Sequence, residues 1–530
     1  MAEQYLKHPL AGKKYTGAEA RNGEVKAQQA PAGSKTSAGE NASAGAGTGA
    51  GAGTDAGTGL NNAAGTKASA GAGTGAGPDN VVETIKKVLS ESGVYGWQIT
   101  DTSVRGWEFY FIRHRLDQNR VRNVRHIEVK VYVRSEENTE NGTSVIVGDA
   151  SAEIPPTASE AEIRREAERL KAQAGLIRNP AYTLNPAVTK EEAAKLAEDM
   201  AAAGAGKAGT GARTDAASVS GDFIRLMKGI RETPTEDINS YEIFVNSVTR
   251  RILTSEGTDV TESFPQSSLE VVTNARKDGR EIEMYRMFHS GTCGTENLKA
   301  EIEDQLVRGK DRLLTKPTPD LKKSAVVFSS HEMLAIYNWF LTNLSAQAVV
   351  QGISQWKPGE AVADRFDGDR VTVDAVPYLP NSPKNFLLDE EGAPVTGLRL
   401  MTDGVCEHYW GSRQYACRLG LERSFIPTNT VFSGGTRSAE EIRQGNFLEV
   451  VEFSDFQVNG MTGNIAGEIR LAYWHENGKV TPVSGGSVSG SMKEFIRSMT
   501  MTRESRQYGN TLVPAAVRLE GVTVSGIAEV

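Results

Sequence analysis

Only three cysteines, Cys293, Cys406 and Cys417, occur in the 530-residue chain. They are too few and too scattered for a disulfide framework or a four-thiolate zinc site, which points to a reducing compartment. No run approaches the roughly 18 apolar residues of a membrane-spanning helix. The opening segment, MAEQYLKHPLAGKKYTGAEARNGEVKAQQA, lacks the apolar stretch of about 7–15 residues that marks a secretory signal. A soluble, cytoplasmic protein with no membrane partner is expected. Basic residues are not in excess either: 59 Lys and Arg stand against 67 Asp and Glu, a net charge of −8 with a pI near 5.6. That balance speaks against a nucleic-acid partner, which needs a basic footprint. The arginines of DQNRVRNVRH, 117–126, form one short cluster, expected on a solvated hairpin.

What is present suits several structural units, at roughly 150 residues per domain. From Pro31 to Pro78 the chain is almost entirely Ala, Gly, Thr and Ser, with AGAGTGAG recurring within 43–53 and at 70–77. Such a stretch has too little side-chain area to offset its ordering entropy, so 1–78 is expected to be a disordered low-complexity tail. A similar patch, 201–221, reads as a flexible insertion between two helical pieces.

Ordered structure begins with Val81, Val82, Ile85, Val88 and Leu89 at helical spacing, with Asn80 as the cap and Gly93 as the stop. Strands follow at Glu108–Ile112 and through Ile127, Val129, Val131 and Val133, then at SVIVG, 144–148. Capping boxes at Ser159/Glu162 and Thr189/Glu192 open two helices, the first with Ile163, Ala167, Leu170 and Ala174 on one face. Between Ser240 and Ser290, YEIFVNSV, RRILTSEG, SLEVVTNA and EIEMYRMF read as four strands of an antiparallel meander. A helix over about 296–314 precedes KPTPDLKK, the best domain boundary. Beyond it lie a strand, AVVFSS at 325–330, a long apolar helix from His331 to about Val350, and many short strands. The fold class is therefore α+β: an N-terminal helix and antiparallel-sheet domain over 79–316, followed by a β-rich C-terminal domain over 317–530.

One dipeptide looks catalytic. His331-Glu332 stands at a strand-to-helix junction, where a zinc-peptidase helix presents a ligand and a general base. Such a site needs a second imidazole on the same helix face, and the chain has Ala335 and Ile336 where HExxH or HExxxH would place it. Without it His331 and Glu332 read as helix-start residues near the positive end of the dipole. Cys406 and His408, two apart on an expected strand, would share one face as alternative ligands, but two ligands do not make a zinc site. Cys293 in HSGTCG has His289 four residues earlier, but no orienting partner for a Cys–His nucleophile, so a structural turn is expected. VSGGSVSGSM and VFSGGTRS lack the Walker ending and read as turns. The apolar stretch Met333–Leu344 reads as core.

In the C-terminal half, ordered blocks come together: AVVFSSHEMLAIYNWFLTNLSAQAVV, LLDEEGAP (387–394), DGVCEHYWGSRQYACRLGL (403–421), MTGNIAGEIRLAYWHENGKVTPVSG, VSGSMKEFIRSM and LEGVTVSG. They resemble the TldD/PmbA family, the modulator of DNA gyrase proteins, and the helix-and-strand series before them is similar to that family's first domain. In that family a TldD-type subunit is a zinc peptidase, with HExxxH in the long helix and a cysteine ligand near the C-terminus. The PmbA-type (TldE) subunit shares the fold without those ligands. Here His331 and Glu332 occupy the degenerate motif positions, Ile336 the second-histidine position, and 503–521 contains no cysteine. The resemblance thus implies a PmbA/TldE-like, non-catalytic subunit with no cofactor of its own, paired with a zinc-bearing TldD-like chain in an assembly that cleaves unfolded peptides. Two alternatives stand beside it: an autonomous metallohydrolase rebuilt from His331, Glu332, Cys406 and His408, and a homodimeric peptide-binding scaffold.

Overall fold

The computed structural model describes residues 78–139, 142–205 and 216–527. Of the expected tail only Pro78 falls among them, and it opens the first helix, Pro78–Glu91. Val82, Ile85, Val88 and Leu89 are buried as one stripe, and Gly93, at φ +67°, ends the run.

These four side chains pack on a seven-stranded antiparallel sheet. Its order is Asn179–Pro180, Gly142–Ile154, Arg115–Thr139, Gly96–Ile112, Glu236–Thr254, Asp259–Lys277 and Arg280–Ser290. The alternation of Ile127, Val129 and Val131 puts all three under Pro78–Glu91 and the neighbouring helix Glu160–Ala174. The latter starts at the expected capping box: Glu162 N donates to Ser159 Oγ, and Ser159 N donates to Glu162 Oε2 at 2.8 Å. Its inward residues Ile163, Ala167, Leu170 and Ala174 are buried as the spacing requires. Ala216–Lys228 and Thr295–Arg312 cover the other half of the same face, placing Phe223, Met227 and Ile302 against Tyr241, Ile243, Leu269 and Val271. Burying each large apolar side chain stabilises by about 1.5–3 kcal/mol, which offsets the ordering of these long strands.

Two expectations are corrected in this half. YEIFVNSV and RRILTSEG form one continuous strand, Glu236–Thr254, that pairs without interruption along Gly96–Ile112. Residues 246–252, NSVTRRI, contain no glycine, proline or aspartate to turn the chain. The insertion at 201–221 is also shorter than expected, because Lys190–Ala205 and Ala216–Lys228 are both helical. Alanine is the strongest helix former, and Val219 and Phe223 gain burial against the sheet. Residues 206–215 lie outside the described residues.

The C-terminal half holds two sheets. The six-stranded one runs Val405–Cys406, Leu398–Thr402, Thr372–Val376, Asn429–Ser433, Thr511–Pro514 and Ser505–Tyr508. In the eight-stranded one Phe447–Val458, Leu321–Phe328, Val517–Ser525, Ser487–Ser491 and Asn464–Glu476 pair in turn, and the last pairs back to the first, so these strands close a ring. Lys479–Ser484, Lys316–Pro317 and Thr500–Met501 extend it. Gly485 and Gly486, both at positive φ, make the turn expected of VSGGSVSGSM.

The long apolar helix is broken. A 3-10 turn, His331–Met333, leads into Leu334–Asn343, and a second helix, Ala346–Val350, starts afresh at Ser345, whose side chain caps it by accepting from Ala348 N. The break arises from Trp410: its amide donates to Leu344 O, and its carbonyl accepts from Ala346 N at 2.6 Å, which diverts the groups a continuous helix would use. Tyr337, Phe340 and Leu344 are fully buried in the main C-terminal core, so Met333–Leu344 is core as expected. Among the described residues no helix is long and apolar enough to cross a membrane.

Candidate functional site

Leu321–Phe328 runs parallel to Phe447–Val458 and antiparallel to Val517–Ser525, with Val326, Val327 and Phe328 buried. A strand paired on both edges holds the next few residues of the chain in place. Ser329 Oγ donates to Glu449 Oε1 at 2.7 Å, and Arg443 Nη2 donates to the same oxygen at 2.6 Å. Burial alone would raise the Glu449 pKa, but the Arg443 and Ser329 hydrogen bonds outweigh it and hold the group below the ordinary carboxylate range.

The chain then bends into His331–Met333. Met333 enters the core, while half of the His331 side chain meets solvent and Glu332 Oε2 faces its Nδ1 at 3.2 Å. The ring still sits deep enough in its recess for desolvation to hold its pKa below the usual histidine value; Glu332 opposes that effect, and Arg286 and Arg308 add to it.

Those arginines belong to a buried ionic cluster drawn from three elements. Arg286, on the edge strand Arg280–Ser290, binds Glu301 Oε2 at 2.7 Å, and Arg506, on Ser505–Tyr508, binds Glu301 Oε1 at 3.2 Å. Glu301, on Thr295–Arg312, is almost wholly buried between them. Seven residues along the same helix, Arg308 pairs with Asp304 at 2.6 Å and donates to the Val451 carbonyl at 3.0 Å. Two guanidiniums, Arg286 and Arg308, thus act on His331, opposed by Glu332 and Glu301.

The position does not fit a zinc ion. Catalytic zinc takes three protein ligands and leaves a fourth place open. Among the described residues no three His, Cys, Asp or Glu side chains are grouped to hold a metal. Ile336, fully buried with Phe328, Tyr337 and Phe340, faces the core while His331 faces solvent.

The expected common face of Cys406 and His408 is not formed. The strand Val405–Cys406 ends at Cys406, whose thiol is buried and pushed up to about 11 by that burial. Glu407 N and His408 N then both donate to the Leu400 carbonyl, and the exposed His408 ring places Nδ1 2.8 Å from the Arg399 carbonyl. A two-residue strand is too short to carry the i, i+2 alternation. Cys293 sits in a turn beside Asn381, whose Oδ1 accepts from Thr292 N at 2.6 Å, and burial pushes its thiol up to about 12. Such a thiol is not a nucleophile at neutral pH.

Arg286, Glu301, Arg308 and Arg506 were not expected from the sequence. Glu301, Asp304 and Arg308 fall on one helical face, a readable signal, but Glu301's partners Arg286 and Arg506 lie in two strands, before the helix and far beyond it, and no spacing joins them.

Residues 322–526 match the family model of the PmbA/TldA metallopeptidase C-terminal domain. That segment, 322–526, belongs to the TldD/PmbA family. Crystal structures of TldE from Thermococcus kodakarensis and of proposed DNA gyrase modulators from Thermotoga maritima and Bacteroides thetaiotaomicron share its fold, at TM-scores of 0.63, 0.62 and 0.60. Each is 16% identical; 84%, 84% and 85% of this chain aligns with 99%, 100% and 99% of theirs, respectively. An uncharacterized protein of Methanocaldococcus jannaschii is 22% identical over 283 residues, half of this chain and 65% of that relative. The TldD/PmbA match takes in His331, Glu332, Cys406 and His408, whereas Arg286, Glu301 and Arg308 precede it.

Proposed function

We propose that this chain is a non-catalytic, TldE-like subunit of a cytoplasmic peptidase assembly. In this reading it forms one wall of a chamber for unfolded peptides, and a TldD-like partner carries the zinc and the attacking water. One observation carries the proposal: the residue at the second-histidine position, Ile336, is a core residue, while His331 is flanked by arginines. A dication at His331 would meet the repulsion of Arg286 and Arg308, and with Glu301 and Asp304 already paired it would find the single carboxylate of Glu332 beside the ring. The likeness to TldE agrees with this reading, since that protein shares the fold.

The test compares the purified chain with the same chain co-expressed with a TldD-like protein, measuring bound zinc and cleavage of an unfolded peptide. The expected result is a zinc-free, inert chain alone and a stable, zinc-containing, active complex. Chelator-sensitive cleavage by the chain alone would overturn the proposal. A stable homodimer that ignores every TldD-like chain offered would do so too, and would favour the scaffold.

A further inference from the structure

The block LLDEEGAP forms a tight turn that reaches back onto the N-terminal sheet. Asp389 Oδ1 accepts from the Glu391 and Ala393 amides, each at 2.9 Å, and Gly392 takes φ +74°. Gln98 Nε2 donates to the Glu390 carbonyl at 2.8 Å, and Asn185 Nδ2 to the Glu391 carbonyl at 3.1 Å. The turn is therefore fixed, and Glu391 lines a narrow cleft with Trp97, Tyr132, Tyr182 and Arg413.

Glu391 Oε2 accepts from the Arg413 amide at 2.6 Å. The Arg413 guanidinium does not neutralise it: Nε and Nη2 donate to the Thr183 carbonyl and hydroxyl at 2.7 and 2.5 Å, and Nη1 to the Leu421 carbonyl at 2.6 Å. The nearby Lys130 is paired with Asp149 at 3.1 Å. Trp97, Tyr132 and Tyr182 are each at most 7% exposed, and the tyrosine rings meet edge to face with centroids 6.5 Å apart. Among the described residues neither tyrosine hydroxyl hydrogen-bonds to a protein group, and both tyrosines line the cleft beside Glu391, a carboxylate that has no ion-pair partner of its own. Glu256, exposed at the rim, adds a second negative charge.

We propose that this cleft binds a primary ammonium group, carried by a small amine or by the amino terminus or a lysine of a peptide. Size, charge and donor count agree. The cleft, with about 20 Å³ of space, admits one water-sized group, the size of an –NH₃⁺ head. The three N–H donors of an ammonium match the Glu391 carboxylate and the two phenol oxygens, and aromatic walls favour a cation further. Glu391 and Glu256 exclude an anion. Burial holds the Glu391 carboxyl above its ordinary range, against the opposing pull of the Arg413 amide, and a bound ammonium would bring it back down. This site is independent of the peptidase reading.

Calorimetric titration of the full chain with n-butylammonium, against n-butanol as the uncharged isostere, tests it. The expected result is saturable, millimolar binding of the amine alone, weakened about tenfold or more in Tyr132→Phe, Tyr182→Phe and Glu391→Gln. Glu256→Gln, at the exposed rim, should weaken it less while leaving the fold untouched. Equal binding of amine and alcohol, no saturable heat up to about 10 mM, or unaltered binding in folded Tyr182→Phe and Glu391→Gln would overturn the proposal. A peptide with a free amino terminus, its acetylated form, and Nα-acetyl-lysine methylamide then distinguish the sources of the ammonium.

Discussion

Replacing Ile336 by histidine restores the residue that a stretched zinc motif would carry, and the structure says that it should fail. Ile336 has no exposed surface and lies in the core with Phe328, Met333, Tyr337 and Phe340. Loss of its buried aliphatic surface costs about 2–4 kcal/mol, and an imidazole nitrogen left there without a partner adds about 1–3 kcal/mol. With partial relaxation the sum is about 3–5 kcal/mol. For the compact unit Ala76–Val530, an unfolding entropy near 2.1 cal/mol/K per residue totals about 1 kcal/mol/K, so the melting temperature should fall by roughly 3–5 °C. Ile336→Val, which removes one methylene, should cost only about 1 kcal/mol. Scanning calorimetry with and without zinc, together with metal analysis, checks this. If Ile336→His melted like the wild type, bound one zinc per chain and rose in stability with zinc concentration as linkage demands, the placement of 336 in the core would be wrong.

Three further outcomes concern buried charges and a helix cap. Glu301→Ala leaves Arg286 and Arg506 facing each other in a buried site, and should destabilise by about 3–5 kcal/mol in urea denaturation, with Glu301→Gln milder; an unchanged midpoint would show that the cluster is solvated. Asp389, buried and raised to about 7 chiefly by desolvation, keeps its proton longer in the folded than in the unfolded chain. Its contribution to stability is therefore present at low pH and is lost as pH rises from about 4 through about 7, so Asp389→Asn should flatten that decline, and parallel pH profiles would refute it. Ser159→Ala removes the capping box of Glu160–Ala174 and should cost about 1 kcal/mol, read as faster amide exchange in that helix's first turn; unaltered exchange would count against the cap.

Local physics was legible in the sequence. The inward face of Glu160–Ala174, its cap, and the alternation through Ile127–Val133 were all present in spacings of a few residues, and such spacings survive into the fold because short-range geometry sets them. Long-range effects were not legible. The helix break at Ser345 depends on backbone groups of Trp410, and the merged strand Glu236–Thr254 is held by pairing along Gly96–Ile112. Cys406 and His408 looked like a face because two residues were assumed to continue a strand that the Leu400 carbonyl cuts short. The arginines acting on His331 come from two elements, a strand and a helix, and only the helical stripe could be read in advance.

The changes at the degenerate motif are coupled. Once 336 is a core aliphatic, His331 has no companion imidazole, and a guanidinium can settle where a dication would otherwise be held. Glu301 then binds Arg286 and Arg506, and Asp304 binds Arg308, so of the acids around His331 these two are committed to structure and Glu332 stands beside the ring. Returning one histidine would therefore not return a metal site: the core would have to accept a polar ring, and the arginines would have to leave without stranding Glu301. Each step alone is destabilising. Buried ion pairs arranged in this way resist such a change.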